Sequence, residues 1–175
     1  MCLAETADWT LNPAHDTTGV CRDILLASII LEVAMPDIRI RDISSAENLV
    51  ELLQANGVAV LIDVRLTPIS RKKGLSKTAL AAALQAVDIE YVHERELSNP
   101  KENREPFKRG SQRVRDRYIA HIQNGAAQAV QNVVAQARKQ YVALLCYERE
   151  HNQCHRSCIT DEISSHHSDL QIVEL

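Results

Sequence analysis

Two short runs limit the fold of this chain more than anything else in it. Val58–Val64 reads VAVLIDV, and Tyr141–Cys146 reads YVALLC. Neither alternates apolar with polar residues, so neither suits a strand with one wet face. Each suits a strand covered on both faces, as in a parallel sheet. Parallel neighbours cannot be joined by a tight turn and need long crossovers, normally helical.

The intervening sequence has the length and pattern for such crossovers. Asp37–Ile43 (DIRIRDI) has period two and predicts a first strand. Ser44-Ser45-Ala46-Glu47 reads as a capping box opening a helix. Leu49, Val50, Leu52 and Leu53 form that helix's apolar face, and Asn56-Gly57 ends it. After the Val58–Val64 strand, Arg65–Lys77 is a basic loop containing Pro68 and Gly74. Ala79, Leu80, Ala83, Leu84 and Val87 make a helical stripe, and Ile89–His93 a third strand. Glu94–Gly110 is expected as a long charged loop, with Pro100 and Pro106 blocking regular structure. Helices are predicted over Ser111–Gln123 and Ala126–Lys139, then the Tyr141–Cys146 strand. A helix over His155–Ser165 and a strand over Leu170–Val173 complete the chain. Strands alternating with helices predict an α/β fold, three-layered and Rossmann-like, with a mainly parallel sheet of about five strands. There is no internal repeat and no low-complexity segment.

A chain of 175 residues accommodates one such domain. Residues 35–175 are read as that single α/β domain. Residues 1–34 are read as an N-terminal extension, with a helix around 22–34. Ile24–Ala34 is too short to span a membrane, which takes roughly 18 or more apolar residues. The acids Glu5, Asp8, Asp16 and Asp23 ahead of it do not suit a signal peptide. Five cysteines, three of them near the C-terminus, make a poor disulfide framework. Free thiols in a cytoplasmic protein, with no membrane contact, are expected. Aromatics are only 3% of the chain, too few for a base-stacking platform. A net charge of −3 excludes a bulk polycation.

In open parallel sheets, ligands bind beyond the carboxyl ends of the strands. The loops at those ends carry Asp63, Arg65, Ser70 and Arg71; then Asn99, Lys101 and Arg104; then Cys146, Glu148, Arg149, Cys154, His155 and Arg156. If they converge, Arg65, Ser70, Arg71, Asn99, Lys101, Arg104 and Arg156 are candidates to bind an anion, beside a helix N-terminus. Arginine suits this because its planar fork grips two oxyanion atoms at once. Asp63, Glu148, Cys154 and His155 are the candidates for acid, base or nucleophile. Asp63 has the alternative of anchoring a loop by pairing with an arginine. Lys72 and Lys73 read as a solvated charge run. Lys108, Arg109, Arg113, Arg115 and Arg117 form a cationic face, either solvated or extended toward a nucleic-acid backbone.

The cysteines leave three roles open. Cys154, before a helix and near Arg156, has the surroundings of a nucleophilic thiolate. Cys146, Cys154, His155 and Cys158 contain zinc-ligand types, but their spacing matches no standard knuckle and no metal is expected. Cys146 has the further reading of a small buried hydrophobe at a strand end. The loop in which a cysteine is followed six positions later by arginine is absent.

Taken together, Leu61-Ile62-Asp63-Val64-Arg65 with Pro68 and Ser70-Arg71, Ile89–His93 with Glu96-Leu97, and Leu144-Leu145-Cys146 with Glu148 and Cys154-His155-Arg156 resemble a prokaryotic family, domain of unknown function 488. Asn99-Pro100-Lys101 with Asn103-Arg104 resembles one of its subgroups. The resemblance runs from Pro36 to Leu175. It implies a compact α/β domain with these motifs clustered at the strand carboxyl ends, and it implies no reaction. Where the family carries a Thr-Ile-Gly-His/Tyr-Ser-like turn, this chain reads Ile40-Arg41-Asp42-Ile43-Ser44. Ser98 stands where glycine is common.

The expected function is an enzyme acting on a phosphorylated or nucleic-acid substrate through a thiol or carboxylate. The alternatives are a non-catalytic nucleic-acid or nucleotide-binding module and a redox or zinc-holding regulatory protein.

Overall fold

The computed structural model describes residues 34–39, 45–148 and 153–174. The expected N-terminal extension lies outside them except for Ala34, as do Ile40–Ser44 and Arg149. Described in chain order are β1 (Ala34–Arg39), α1 (Ala46–Ala55), β2 (Val60–Asp63), α2 (Lys77–Gln85), β3 (Glu90–His93), α3 (Lys101–Lys108), α4 (Gln112–Gln123), α5 (Ala127–Ala137), β4 (Val142–Cys146), α6 (Arg156–His166) and β5 (Gln171–Glu174). The fold is mixed α/β. Its centre is the parallel trio β3-β2-β4, which β1 and β5 extend in the order β3-β2-β4-β1-β5. Among the described residues, no helix is long and apolar enough to cross a membrane.

The two apolar runs form β2 and β4, and every residue of both strands is buried. Their side chains divide between the sheet's faces. Val60, Ile62, Val142, Leu144 and Cys146 pack with α4, α5 and α6 through residues such as Tyr118, Val133 and Ile159. Leu61, Ala143 and Leu145 pack with Leu49 and Leu53 of α1 and Leu80 and Leu84 of α2. A fully buried aliphatic side chain contributes about 1.5–3 kcal/mol, so these two clusters carry the fold.

Local sequence sets the helix ends. Ser45, rather than Ser44, caps α1: its Oγ accepts the Asn48 N–H at 3.4 Å. The cap therefore sits one residue later than the capping-box spacing suggests. At the other end Gly57 takes φ +65°, and the N–H groups of Gly57 and Val58 bond to Gln54 and Leu53 carbonyls at 3.0 Å. That pair of bonds is a Schellman stop, which favours glycine.

Two elements differ from expectation. β1 starts at Ala34, not Asp37, because Ala34–Asp37 pair with Gln171–Glu174 of β5; the partner strand, rather than local alternation, sets its start. Within the expected loop Glu94–Gly110, Arg95–Leu97 is a 3₁₀ turn and Lys101–Lys108 is helical. Pro100 precedes the helix and does not obstruct it. Pro106 lies inside it, and Phe107, 1% exposed, anchors the segment in the core.

Gly74 ties the loop after β2 to α1. It has φ +78°, and a Cβ there would lie 2.6 Å from the Ala46 Cβ. Ala46 N–H also donates to the Lys73 carbonyl at 3.3 Å. A left-handed conformation costs a non-glycine residue about 1–2 kcal/mol. At Gly57 the nearest atom to a new Cβ is 3.7 Å away, so Gly57→Ala is expected to lose only that much. Gly74→Ala is expected to lose visibly more, because the contact with α1 must also yield. Urea denaturation of the two variants measures the difference.

Candidate functional site

β2 and β4 are hydrogen-bonded neighbours with Asp63 opposite Leu145, so the segments that follow them leave the sheet side by side. After β2 the backbone turns at Asp63. Its Oδ1 accepts the Arg65 backbone N–H at 3.0 Å and Nε–H at 2.7 Å; its Oδ2 accepts from Arg65 Nη2 at 2.5 Å and from the Tyr91 hydroxyl at 2.6 Å. Arg65 Nη1 donates to the Leu75 carbonyl at 3.0 Å. Both side chains are fully buried. Burial opposes the arginine's charge, but the hydrogen bonds and charge of Asp63 outweigh it and hold the guanidinium pKa above its ordinary value. Burial, and then Asp63, push the Tyr91 hydroxyl up. The Arg65 guanidinium also lies over the Tyr147 ring, 5.2 Å from its centroid.

After β4 and at the start of α6 lies a second cluster. Cys146 is 1% exposed, Cys154 0% and His155 4%. His155 Nδ1 lies 3.8 Å from both sulfurs. Glu148 Oε2 lies 2.6 Å from Cys146 Sγ and 3.8 Å from Cys154 Sγ. Cys154 Sγ accepts two N–H groups of Arg156, from Nε at 3.2 Å and from the backbone at 3.5 Å. Arg156 Nη2 reaches the Glu148 carbonyl at 3.1 Å. Burial disfavours ionising Cys154, but Cys146, His155 and Arg156 together hold its thiol well below the ordinary value. Cys146 moves the other way, pushed up by burial first and then by its contacts with Cys154 and Glu148. The two shifts run in opposite directions, Cys154 favouring its ionised form and Cys146 its protonated form.

A cavity of about 440 Å³ opens beside this cluster. Arg71, Lys72 and Ser70 line it from the loop after β2, Arg104 and Lys108 from α3, and Tyr147 and Glu148 from the segment after β4. Arg104 and Lys108 are four residues apart, so one helix face presents both. The Tyr147 hydroxyl donates to the Thr67 carbonyl at 2.7 Å and also to that of Ile69, pinning the loop that carries Ser70 and Arg71.

The structure thus brings together Ser70, Arg71, Arg104 and Glu148 of the sequence-derived candidates, with Glu148 also touching Cys146 and Cys154. Arg65 and Arg156 lie in the interior, bonded to Asp63 and Leu75 and to Cys154 and Glu148 respectively. Lys101 is exposed on α3, and Asn99 is buried with no hydrogen-bond partner for its Oδ1. Lys72, Lys108 and Tyr147 join the cavity without having been candidates for it. In the cationic face, Arg115 bonds the Ser157 hydroxyl at 2.9 Å and Arg117 bonds Asn103 Oδ1, so both tie α4 to neighbouring segments. Cys158, on α6, stands outside the sulfur cluster.

These features define a parallel α/β protein with a buried thiol–imidazole–carboxylate cluster at the strand carboxyl ends and a cationic cavity beside it. The chain belongs to the family described as domain of unknown function DUF488, whose model matches residues 45–163. That span is narrower than the Pro36–Leu175 suggested by the motifs. No curated protein and no solved structure matches the chain.

Removing one partner of a buried ion pair leaves the other uncompensated, a loss of about 3–5 kcal/mol. Asp63→Asn is expected to destabilise the fold by an amount of that order. The double change Asp63→Leu with Arg65→Met is expected to recover most of the loss. Chemical denaturation of the single and double variants gives both values.

Proposed function

We propose that this protein is an enzyme acting on a phosphorylated or nucleic-acid-derived substrate, which it holds by its anionic group in the cavity beside Glu148. Arg71 and Arg104 are the main anion ligands, with Lys72, Lys108 and Ser70 completing the rim. The chemistry falls to the Cys146–Glu148–Cys154–His155 cluster. The observation that carries the reading is the double position of Glu148: one carboxylate both lines the cationic cavity and contacts both sulfurs. A Rossmann-like layering over five strands agrees with it, since such sheets bind ligands beyond their strand carboxyl ends. The free thiols suit a reducing, cytoplasmic setting.

A hydrogen bond to a charged group contributes about 1.5–3 kcal/mol, so losing both arginines should weaken phosphate binding by at least about tenfold. Calorimetric titration of wild type and the R71A/R104A variant with inorganic phosphate and a panel of nucleotides tests this. Unchanged binding of every ligand would overturn the reading. The alternative is a binding module without chemistry. It would use the same cations, show steep salt dependence, and keep full function after its cysteines are alkylated.

A further inference from the structure

We propose that Cys146, Glu148, Cys154 and His155 form a binding site for a zinc-class divalent metal ion. The proposal adds a metal to the site described above and does not depend on which anion enters the cavity.

The donor atoms lie close enough together to share one ion. The four donor atoms come from two short segments, the end of β4 and the start of α6, and all lie within 4.8 Å of one another. A tetrahedral zinc ion, with bonds of about 2.0–2.3 Å, sets its ligand atoms roughly 3.3–3.8 Å apart. The 3.8 Å separations of His155 Nδ1 from both sulfurs, and of Glu148 Oε2 from Cys154 Sγ, match that range. The Glu148–Cys146 contact, at 2.6 Å, is shorter than such an edge. Glu148 is half-buried and borders the cavity, so its side chain has room to rotate outward.

The donor chemistry selects the metal. Two thiolates, one imidazole and one carboxylate suit zinc and exclude calcium and magnesium, which take oxygen ligands. The surroundings also fit. Cys154 Sγ accepts two N–H bonds from Arg156, and the Tyr118 ring meets the His155 ring edge-on with centroids 5.4 Å apart. Outer contacts of this kind orient metal ligands. Charge closes the argument. Two thiolates and a carboxylate, set against a dication and the buried Arg156, sum to zero, and an interior cluster needs such balance.

The site has one ligand unlike the rest. Cys146, Cys154 and His155 are deeply buried, whereas Glu148 alone faces the cavity. Three protein ligands with one exchangeable position are the pattern of catalytic rather than structural zinc. Displacement of Glu148 would bring the ion into contact with the bound anion.

The test uses the full chain, stripped with a chelator and titrated with Co²⁺ alone. One Co²⁺ per chain is expected, with sulfur-to-cobalt charge-transfer absorption in the near ultraviolet and the visible bands of tetrahedral cobalt. C146S and C154S should each weaken binding by about tenfold or more, as should E148Q, with a shift of the visible bands. C158S changes a buried cysteine outside the cluster and should bind as the wild type does. No charge-transfer band in the wild type, or a loss in C158S equal to that in C154S, overturns the proposal. Circular dichroism establishes that each variant is folded. If the cysteine variants unfold, E148Q, at a half-buried position, decides the matter, and wild-type affinity there overturns the four-ligand site. Phosphate titration of the metal-free chain separates the two readings. Arginine-dependent phosphate binding without cobalt binding removes the metal alone, and cobalt binding without phosphate binding removes the anion site alone.

Discussion

The hydrogen-bonded pairing of β2 with β4 is the constraint on which the rest of the structure depends. Both strands are buried along their whole length, so their backbone groups have no water to bond and must bond to neighbouring strands. In parallel register, Val60–Asp63 match Val142–Leu145, and the Val64 N–H continues the ladder to the Leu145 carbonyl at 3.0 Å. The carboxyl ends therefore stop at the same height. Asp63 and Arg65 follow directly from one of those ends, and Cys146 and Glu148 from the other. A one-residue slip would exchange the sets of side chains packed into the two core clusters. It would also separate Tyr147 from the loop carbonyls to which it donates.

The two most buried arginines show how that end is built. A buried ion pair contributes little net stability compared with apolar packing, but it tolerates few alternative geometries. Arg65 spends its donors on Asp63 and Leu75, and its guanidinium face lies against Tyr147. His93 Nε2 lies 2.9 Å from the Arg65 carbonyl, linking the end of β3 to the same turn. Arg65 is thus the junction of three loop segments. Arg156 has the corresponding position on the other side, bridging Cys154 and the backbone of Glu148. These interior arginines fix the walls. Arg71 and Arg104 instead line the cavity.

This division explains which parts of the site were legible in the sequence. The strands and most helices were, because unbroken apolar runs and i, i+4 stripes report burial directly. Convergence of the loops followed from the rule about strand ends, and Asp63 has the arginine partner considered for it. The α3 helix was not legible. It contains one large apolar residue, Phe107, among charges and a proline, so no stripe marks it; the core contact of that single ring marks it instead. Missing the helix also hid that Arg104 and Lys108 share a face. Nor does a sequence distinguish an arginine whose donors are used internally from one facing a ligand, which is why Arg65 and Arg156 read as anion ligands. Cys158 looked like the fourth sulfur-site residue by proximity in sequence. In space that place belongs to Glu148, whose Oε2 lies 2.6 Å from Cys146 Sγ and 3.8 Å from Cys154 Sγ.

The position of Glu148 also has an electrostatic logic. On its outer side are the cations Arg71, Lys72, Arg104 and Lys108. On its inner side is the Cys154 sulfur, 3.8 Å from its Oε2. Like charges so close in the interior need a compensating positive charge. Arg156 compensates one of them, since its Nε donates to the sulfur itself. The other faces the cations that line the cavity. On the proposed function, an anion in the cavity would share these cations with Glu148. Binding at the mouth and charge balance at the sulfurs would then be coupled through the one carboxylate that touches both.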